Sequence, residues 1–155
     1  MTDARPASPT ASPRTPKARP TLLFVCIENS CRSQMAEGFA AALGQGRVAA
    51  YSAGSKPSGQ VHPAAVRFMA EKGIDLGGRR SKGLDSLPAG VTWDYVVTMG
   101  CGDACPSLPA RHRLDWELPD PKNLPDEEFR AVRDRIESRV RELIDRAIRG
   151  DSRVG

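Results

Sequence analysis

Nine consecutive residues near the start of the chain combine side chains suited to chemistry on an oxyanion. Residues 25–33 read Val-Cys-Ile-Glu-Asn-Ser-Cys-Arg-Ser, with five residues between Cys26 and Arg32. A loop of this length can wrap around a tetrahedral anion with its backbone N–H groups pointing inward. Arg32 offers a planar guanidinium that can hold two oxygens, and the same positive surroundings stabilise Cys26 as a nucleophilic thiolate. The segment therefore predicts an anion-binding loop that carries its own nucleophile.

The position of this segment distinguishes a functional loop from a chance pairing. A buried core cysteine and a surface arginine would give the same spacing, so the spacing alone is weak support. The apolar run at residues 22–25 predicts a buried strand before the segment, and residues 33–43 have the periodicity of a helix after it. A loop between a parallel strand and a helix N-terminus is a common place to bind an anion, which favours the functional interpretation.

The rest of the chain alternates between strand-like and helix-like patterns. Further strands are predicted at residues 48–53, 94–99 and 112–116, and further helices at residues 63–72 and from Asp126 onward. The last helix has one apolar stripe, with apolar residues at intervals of three or four. The alternation predicts an α/β fold with a doubly wound, four-stranded parallel sheet flanked by helices, and a ligand site at the carboxyl ends of the strands.

Length, composition and charge exclude several classes of protein. The 155 residues (16.7 kDa) fit one domain, and the apolar run at residues 21–26 is far shorter than the ~20 residues of a membrane helix. Four basic residues and one acidic residue give residues 1–20 a charge of +3, out of a formal net charge of +4. The remainder is nearly neutral, whereas a nucleic-acid-binding domain needs a concentrated basic face. We therefore expect neither a membrane segment nor a nucleic-acid partner.

The proline-rich start of the chain differs in composition from the remaining residues. Residues 1–20 contain five prolines among Ser, Thr and Ala, so we predict a disordered tail at residues 1–20 and one domain at residues 21–150. The tail lacks the apolar stretch of a secretion signal, which predicts a cytoplasmic protein. In that compartment the four cysteines are expected to be functional thiols or metal ligands rather than structural disulfides.

The spacing of the cysteines does not favour zinc. Four residues separate Cys26 from Cys31 and three separate Cys101 from Cys105, whereas zinc sites usually contain pairs separated by two. Arg32 beside a ligand would also repel the metal ion. We therefore predict no metal site.

These motifs together carry a family resemblance. The run Cys-Ile-Glu-Asn-Ser-Cys-Arg-Ser-Gln-Met-Ala-Glu at residues 26–37 resembles the signature of the low-molecular-weight tyrosine phosphatase superfamily, in its arsenate reductase branch. The likeness continues through Tyr-Ser-Ala-Gly at 51–54, Asp-Tyr-Val-Val-Thr at 94–98 and Asp-Pro at 120–121, and it spans about residues 21–149. The resemblance implies the four-stranded low-molecular-weight phosphatase-like fold. It also implies that the nucleophile is Cys26 and that the oxyanion is held by Ile27, Glu28, Asn29, Ser30, Cys31, Arg32 and Ser33.

The same resemblance assigns individual roles around this loop. Asp120 matches the general acid that protonates the leaving oxygen, although an Asp before Pro121 also begins many turns. Asn29 matches the residue that holds the unusual backbone shape of the loop, since Asn tolerates a positive φ. Glu28 stands where the family commonly has Gly, and the sequence offers no reason for a negative charge beside an anion site.

The remaining cysteines bear on the choice between two reactions. Water clears a phosphocysteine, whereas a second thiol can attack the sulfur of a cysteine–arsenate adduct and release arsenite. Cys101 and Cys105 come after the third predicted strand, and in a helical turn their separation would permit a disulfide. The resemblance implies that Cys101 attacks Cys26 and that Cys105 then attacks Cys101. Cys31 is either a reserve redox thiol or a small buried side chain.

The resemblance leaves the reductant open between two classes. Thioredoxin-linked relatives typically have six residues between their relay cysteines, and the shorter spacing here is more like the actinobacterial type, which uses a small thiol such as mycothiol. We therefore expect no bound cofactor and a thiol reductant, either a thioredoxin-family protein or a low-molecular-weight thiol.

The predicted function is the reduction of arsenate to arsenite for arsenic detoxification. The alternative is a tyrosine phosphatase acting on phosphate monoesters, and residual phosphatase activity is expected because the loop distinguishes phosphate poorly from arsenate. Tyrosine phosphatases of this family usually place aromatic residues after the Asp-Pro pair, where this chain has Lys122 and Asn123. His62 and His112 are predicted to be surface residues in loops.

Overall fold

The first strand, β1 (Thr21–Cys26), is the buried strand that leads into the anion-binding loop. A computed structural model describes residues 19–100 and 108–149. Five of the six β1 residues are buried, so the strand is apolar throughout instead of alternating. Most of the predicted tail lies outside the described residues, as do Cys101 and Cys105.

Strands and helices alternate after β1, as the sequence predicts. They are α1 (Arg32–Gly44), β2 (Ala49–Gly54), α2 (Pro63–Ala70), β3 (Trp93–Thr98), β4 (Ala110–Asp115) and α3 (Asp126–Ile148). The strands form one parallel sheet in the order β2-β1-β3-β4. The predicted α/β fold is therefore confirmed, and the predicted element ends that the sequence analysis gave fall within two residues of the observed ones.

The helices bury their apolar residues against one face of the sheet. The stripe predicted in α3 is buried, and it joins apolar residues of α1 and α2 in one cluster with Leu22 and Phe24 of β1. The opposite face buries a smaller cluster that includes Leu23 and Val25 and is covered in part by Leu87. Within residues 19–100 and 108–149, no helix is long and apolar enough to cross a membrane.

Three chain segments leave the sheet at the same edge. The parallel register places Val25 of β1 beside Thr98 of β3, and Thr98 beside Asp115 of β4. The segments after these strands therefore begin close together although they are far apart in the sequence. This edge carries the candidate site.

Candidate active site

Cys26 ends β1 with its sulfur buried beneath the loop that comes after the strand. Its side chain is almost inaccessible, and the Sγ atom lies 2.9 Å from Ser33 Oγ. The backbone N–H of Asn29 donates a hydrogen bond to the same sulfur at 3.2 Å. Hydrogen bonds directed at sulfur stabilise a thiolate, which is the nucleophilic form.

Asn29 is the centre of the hydrogen-bond network behind this sulfur. Its φ is 54°, as its tolerance of positive φ predicts, and its Oδ1 accepts from the Lys82 backbone N–H at 2.7 Å and from Gln34 Nε2 at 2.8 Å. A backbone N–H can only donate, so this contact fixes which end of the amide is oxygen. The Nδ2 group therefore donates to Ser33 Oγ at 2.7 Å and to Ser52 Oγ at 3.0 Å.

This network leaves the Ser33 hydroxyl free to donate to Cys26. Ser33 Oγ accepts a hydrogen bond from Asn29, and its own hydrogen is available for the sulfur. A thiolate at Cys26, which can only accept, would receive hydrogen bonds from the Ser33 hydroxyl and the Asn29 backbone. The family resemblance implies that Ser33 hydrogen-bonds the thiolate as well as lining the loop, and the structure places its Oγ 2.9 Å from the sulfur.

The network extends to three side chains that the sequence analysis missed. Ser52 donates to Glu37 Oε1 at 2.5 Å, and Lys82 Nζ lies 3.4 Å from both Glu37 Oε1 and Ser52 Oγ. Ser52 and Glu37 occur in the motifs that carry the family resemblance. The resemblance could therefore have indicated that these two residues matter, but it did not indicate what they do. No sequence pattern indicated Lys82.

The carbonyl oxygens of the loop bond outward to residues 55–62. The pairs are Ile27 with the Lys56 N–H at 2.8 Å, Glu28 with Ser58 at 3.2 Å, and Ser30 with His62 at 3.0 Å. In a planar trans peptide the next N–H points the opposite way. The N–H groups of Glu28 and Cys31 therefore point into the loop, where an oxyanion would accept from them, while the Asn29 N–H donates to Cys26 Sγ.

The close approach of the loop backbone to Gly54 explains why β2 ends in glycine, a residue that is part of the motif at residues 51–54. A Cβ at this position would lie 2.5 Å from the Ile27 oxygen and 2.9 Å from the Asn29 nitrogen. Both are backbone atoms, which cannot move without reshaping the loop. Only glycine permits this close approach.

Arg32 begins α1 and is buried, with 6% of its surface exposed. Its Nη1 donates to the carbonyl oxygens of Met99 at 2.7 Å and Leu118 at 3.0 Å. Its Nε is buried and has no hydrogen-bond partner among the described residues. Because both Nη1 hydrogens are used, the edge formed by Nε and Nη2 is the one that can hold two oxygens of an anion.

Asp120 begins a turn, which is one of the two roles that the sequence left open, and its second carboxylate oxygen faces Arg32. Its Oδ1 accepts from the Lys122 N–H at 3.1 Å and so caps a 3-10 turn at Pro121–Asn123. Its Oδ2 lies 3.8 Å from Arg32 Nη2, and its side chain is 46% exposed. The carboxylate therefore lies beside the edge of the guanidinium that Nε and Nη2 form.

Glu28 has a partner that the sequence did not reveal. Lys122 Nζ lies 2.8 Å from Glu28 Oε1, in a contact between the anion loop and the turn that Asp120 caps. The Lys122 hydrogen bond lowers the pKa of Glu28, and the same bond raises the pKa of Lys122. The two residues are 94 positions apart.

Cys31, His62 and His112 make contacts within the fold. Cys31 is buried, and the loss of solvation raises the pKa of its thiol to about 12, which favours the small buried side chain over a reserve redox thiol. His62 caps α2 by accepting from the Ala64 N–H, but His112 lies in β4 and stacks on Tyr95, not in a loop.

The predicted relay cysteines, Cys101 and Cys105, lie outside the described residues. The residue before them, Gly100, is described: a Cβ there would lie 2.7 Å from Arg32 Nη1. Among the described residues, no three His, Cys, Asp or Glu side chains are grouped to hold a metal ion.

Residues 21–153 match the family model of the low molecular weight phosphotyrosine protein phosphatases. The chain belongs to this family. The predicted family and fold are confirmed, and the loop at residues 26–33 occupies the position at the end of β1 that the resemblance implied.

Relatives within the phosphatase family are described as arsenate reductases. A glutaredoxin arsenate reductase from Synechocystis is 43% identical over 126 residues, which cover 79% of this chain and 95% of the relative. A solved arsenate reductase in the phosphate binding state has a TM-score of 0.73 and 41% identity, covering 83% of this chain and 98% of that one. A thioredoxin-dependent arsenate reductase from Corynebacterium glutamicum has a TM-score of 0.67 and 33% identity, covering 84% and 62%.

Proposed function

We propose that this protein is an enzyme that reduces arsenate to arsenite, with Cys26 as the nucleophile. The observation that carries the proposal is the loop after β1, in which Cys26 Sγ lies against the Ser33 hydroxyl and the Asn29 N–H while the buried Arg32 keeps an Nε without a partner among the described residues. The relatives described as arsenate reductases support arsenate as the oxyanion that is reduced.

The first step joins sulfur to arsenic. The Cys26 thiolate attacks arsenic while Arg32 and the inward N–H groups hold the other oxygens. An S–As bond forms and one As–O bond breaks, and the leaving hydroxyl departs as water with a proton from Asp120. A positioned acid of this kind contributes roughly 10²- to 10⁴-fold to the rate.

The second step transfers two electrons. A second thiolate attacks the sulfur of Cys26, so that an S–S bond forms and the S–As bond breaks. The electron pair of that bond stays on arsenic, which leaves as arsenite, while two thiols are oxidised to one disulfide. Reduction of that disulfide by an external thiol returns Cys26 to its starting form.

The second thiol is proposed from the sequence. Cys101 would attack Cys26 and Cys105 would attack Cys101, and Gly100, directly before them, packs against Arg32. The final reductant would be a thioredoxin-family protein or a small thiol such as mycothiol, with no bound cofactor. Both reductants belong to the cytoplasm, where we place the enzyme.

Phosphate ester hydrolysis is the second candidate activity. The family model is that of a phosphatase, and the loop would bind phosphate as it binds arsenate. Lys122 and Asn123 stand after Asp120-Pro121, where a tyrosine phosphatase of this family usually has aromatic side chains. We therefore expect weak hydrolysis of p-nitrophenyl phosphate beside efficient arsenate reduction.

The test counts thiols in the fully reduced chain after one equivalent of arsenate, without another reductant. An internal relay would consume two thiols per arsenite released, and peptide mapping would identify the pair. With Cys26→Ser we expect no arsenite and no p-nitrophenyl phosphate hydrolysis. Arsenite formation by that variant would contradict the assignment of the nucleophile.

The same sample distinguishes the reductants and the activities. If no thiol is lost, addition of a small thiol should release arsenite by the external route. If two thiols are lost, Cys105→Ser should block turnover with thioredoxin, and unaffected turnover in that variant would favour the small-thiol route. If neither thiol source yields arsenite while p-nitrophenyl phosphate is hydrolysed rapidly, the protein is a phosphatase instead.

A further inference from the structure

Four side chains form a closed ring around the mouth of the anion loop. Glu28 Oε1 contacts Lys122 Nζ at 2.8 Å, and the Lys122 N–H donates to Asp120 Oδ1 at 3.1 Å. Asp120 Oδ2 lies 3.8 Å from Arg32 Nη2, and the loop backbone from residue 28 to 32 completes the ring. The turn at Pro121–Asn123 is thus tied to the loop at two points.

The two contacts between the turn and the loop, Arg32 with Asp120 and Glu28 with Lys122, differ in length. The Arg32 contact with Asp120 is longer than a hydrogen bond, and Arg32 Nη1 is already held by two backbone carbonyls. The Glu28–Lys122 contact is a short, charged hydrogen bond between groups that are each a little over one third exposed. The ion pair is therefore the closer of the two contacts between the turn and the loop.

We propose that Glu28 and Lys122 are positioning residues that hold Asp120 over the bound oxyanion. The inference rests on the proposed function, in which Asp120 gives its proton to the leaving oxygen. Neither residue of the pair donates or accepts that proton. The pair also cancels its own charge, which explains how a carboxylate is accommodated in a loop that binds an anion.

Because Glu28 and Lys122 carry opposite charges, removing one or the other should change phosphate affinity in opposite directions. A purely structural contact would not have this effect. In Glu28→Gln the Lys122 ammonium remains unpaired, so inorganic phosphate should bind about fivefold more tightly. In Lys122→Met the Glu28 carboxylate remains, so phosphate should bind about fivefold more weakly. In the double variant both charges are absent and the affinity should return to that of the native chain.

Turnover should show a different pattern from affinity. Both single variants and the double variant should lose roughly tenfold in kcat for arsenate, because each removes the tie that positions the acid. The charge exchange Glu28→Lys with Lys122→Glu should recover most of this loss. In an Asp120→Asn background, Lys122→Met should cause no further loss in kcat.

The control is a matched ion pair distant from the site. Arg130 and Glu71 are 2.9 Å apart and 41% and 39% exposed, values close to those of Lys122 and Glu28. Arg130→Met should therefore change neither phosphate affinity nor kcat. Thermal unfolding of each variant shows whether it is folded under the assay conditions.

The outcomes separate this inference from the proposed function. If the native chain reduces arsenate and the pair variants behave like Arg130→Met, the inference is overturned and the function stands. A kcat loss that persists in the Asp120→Asn background also overturns it. If the native chain makes no arsenite, the proposed function fails, and kcat for p-nitrophenyl phosphate in the same variants decides the positioning role.

Discussion

The surroundings of Cys26, the proposed nucleophile, are held in place by residues that are not themselves consumed in the proposed reaction. Asn29 donates to the Ser33 hydroxyl oxygen through its side-chain amide, and the same amide group donates to Ser52. The sequence allowed Cys26, Arg32 and the loop to be predicted because they are contiguous. The contact of Ser33 with the sulfur was implied by the family resemblance, but the hydrogen bonds of Asn29 to Ser33, Gln34 and Lys82 could not be predicted, since they depend on which groups surround Asn29 in the fold.

The second cysteine of the loop, Cys31, should be unreactive in the folded protein. Burial raises the pKa of Cys31 to about 12, so only about one molecule in 10⁴ carries that thiolate at pH 8. Iodoacetamide at pH 8 should therefore leave Cys31 unlabelled in the folded protein, as measured by peptide mapping. Cys31→Ala should retain arsenate reduction, and loss of turnover in a folded Cys31→Ala protein would show that this thiol takes part.

Replacing the carboxylate at Asp120 should lower the rate of the first chemical step without changing the affinity for the anion. Asp120→Asn retains an oxygen that can cap the Pro121–Asn123 turn but has no proton to give. We expect the rate of the first step to fall about 10²-fold or more, with phosphate affinity nearly unchanged. The measurement is a single-turnover assay beside a phosphate titration, and an unchanged rate would remove Asp120 from the acid role.

At the scale of elements, the site is made where the segments after β1, β3 and β4 meet. Arg32, at the start of α1, donates to Met99 after β3 and Leu118 after β4, and so joins the three segments. Periodicity predicted the strands and helices, and the parallel topology predicted this edge. The contacts with Met99 and Leu118 involve backbone carbonyls, which leave no signal in side-chain type.

Gly100 should be required for this junction. A Cβ at residue 100 would lie 2.7 Å from Arg32 Nη1, which is held by two carbonyls and cannot withdraw without losing them. We expect Gly100→Ala to weaken phosphate binding at least tenfold, about the worth of one hydrogen bond to a charged group. Calorimetric titration with phosphate measures the change.

Gly90 supplies the matched control for that variant. Its φ is +75°, close to the +81° of Gly100, but a Cβ at Gly90 would meet nothing within 4 Å among the described residues. Gly90→Ala should lower the free energy of unfolding by about 1 kcal/mol through backbone strain and leave phosphate affinity unchanged. Equal affinities in the two variants would show that strain, not the contact with Arg32, matters at Gly100.

At the scale of the whole molecule, an ion-pair cluster joins α2 to α3. Glu71 binds Arg130 at 2.9 Å and Arg133 at 2.7 Å, and Arg133 also donates to the Phe68 carbonyl. The hydrogen bonds from Arg130 and then Arg133 lower the pKa of Glu71 from 4.5 to about 2. Charged residues between the apolar positions of α3 are typical of a solvated face, and their pattern does not identify Glu71 at the end of α2 as a partner.

This cluster should make stability depend on pH in acid. Because the folded-state pKa is lowered, the contribution of Glu71 is complete above about pH 4.5 and is lost as pH falls toward 2. Glu71→Gln should therefore lower the free energy of unfolding at pH 7, with a difference that shrinks to zero near pH 2. Urea denaturation at several pH values tests this. Asp145→Asn, in the exposed pair with Arg149, should show a smaller difference.

The strand order also governs what happens while the chain is being made. β1 lies between β2 and β3, so it gains its second neighbour only after Thr98 has been synthesised. At roughly 5–20 residues per second, the ribosome needs several seconds to proceed from Cys26 to that point. Throughout that interval the nascent cysteine lacks the buried Arg32 and its carbonyl partners, so its reactivity is that of a thiol in an unfolded peptide. The arrangement of hydrogen-bonding groups around Cys26 is therefore a product of completed folding, and it does not yet exist when this part of the polypeptide emerges from the ribosome.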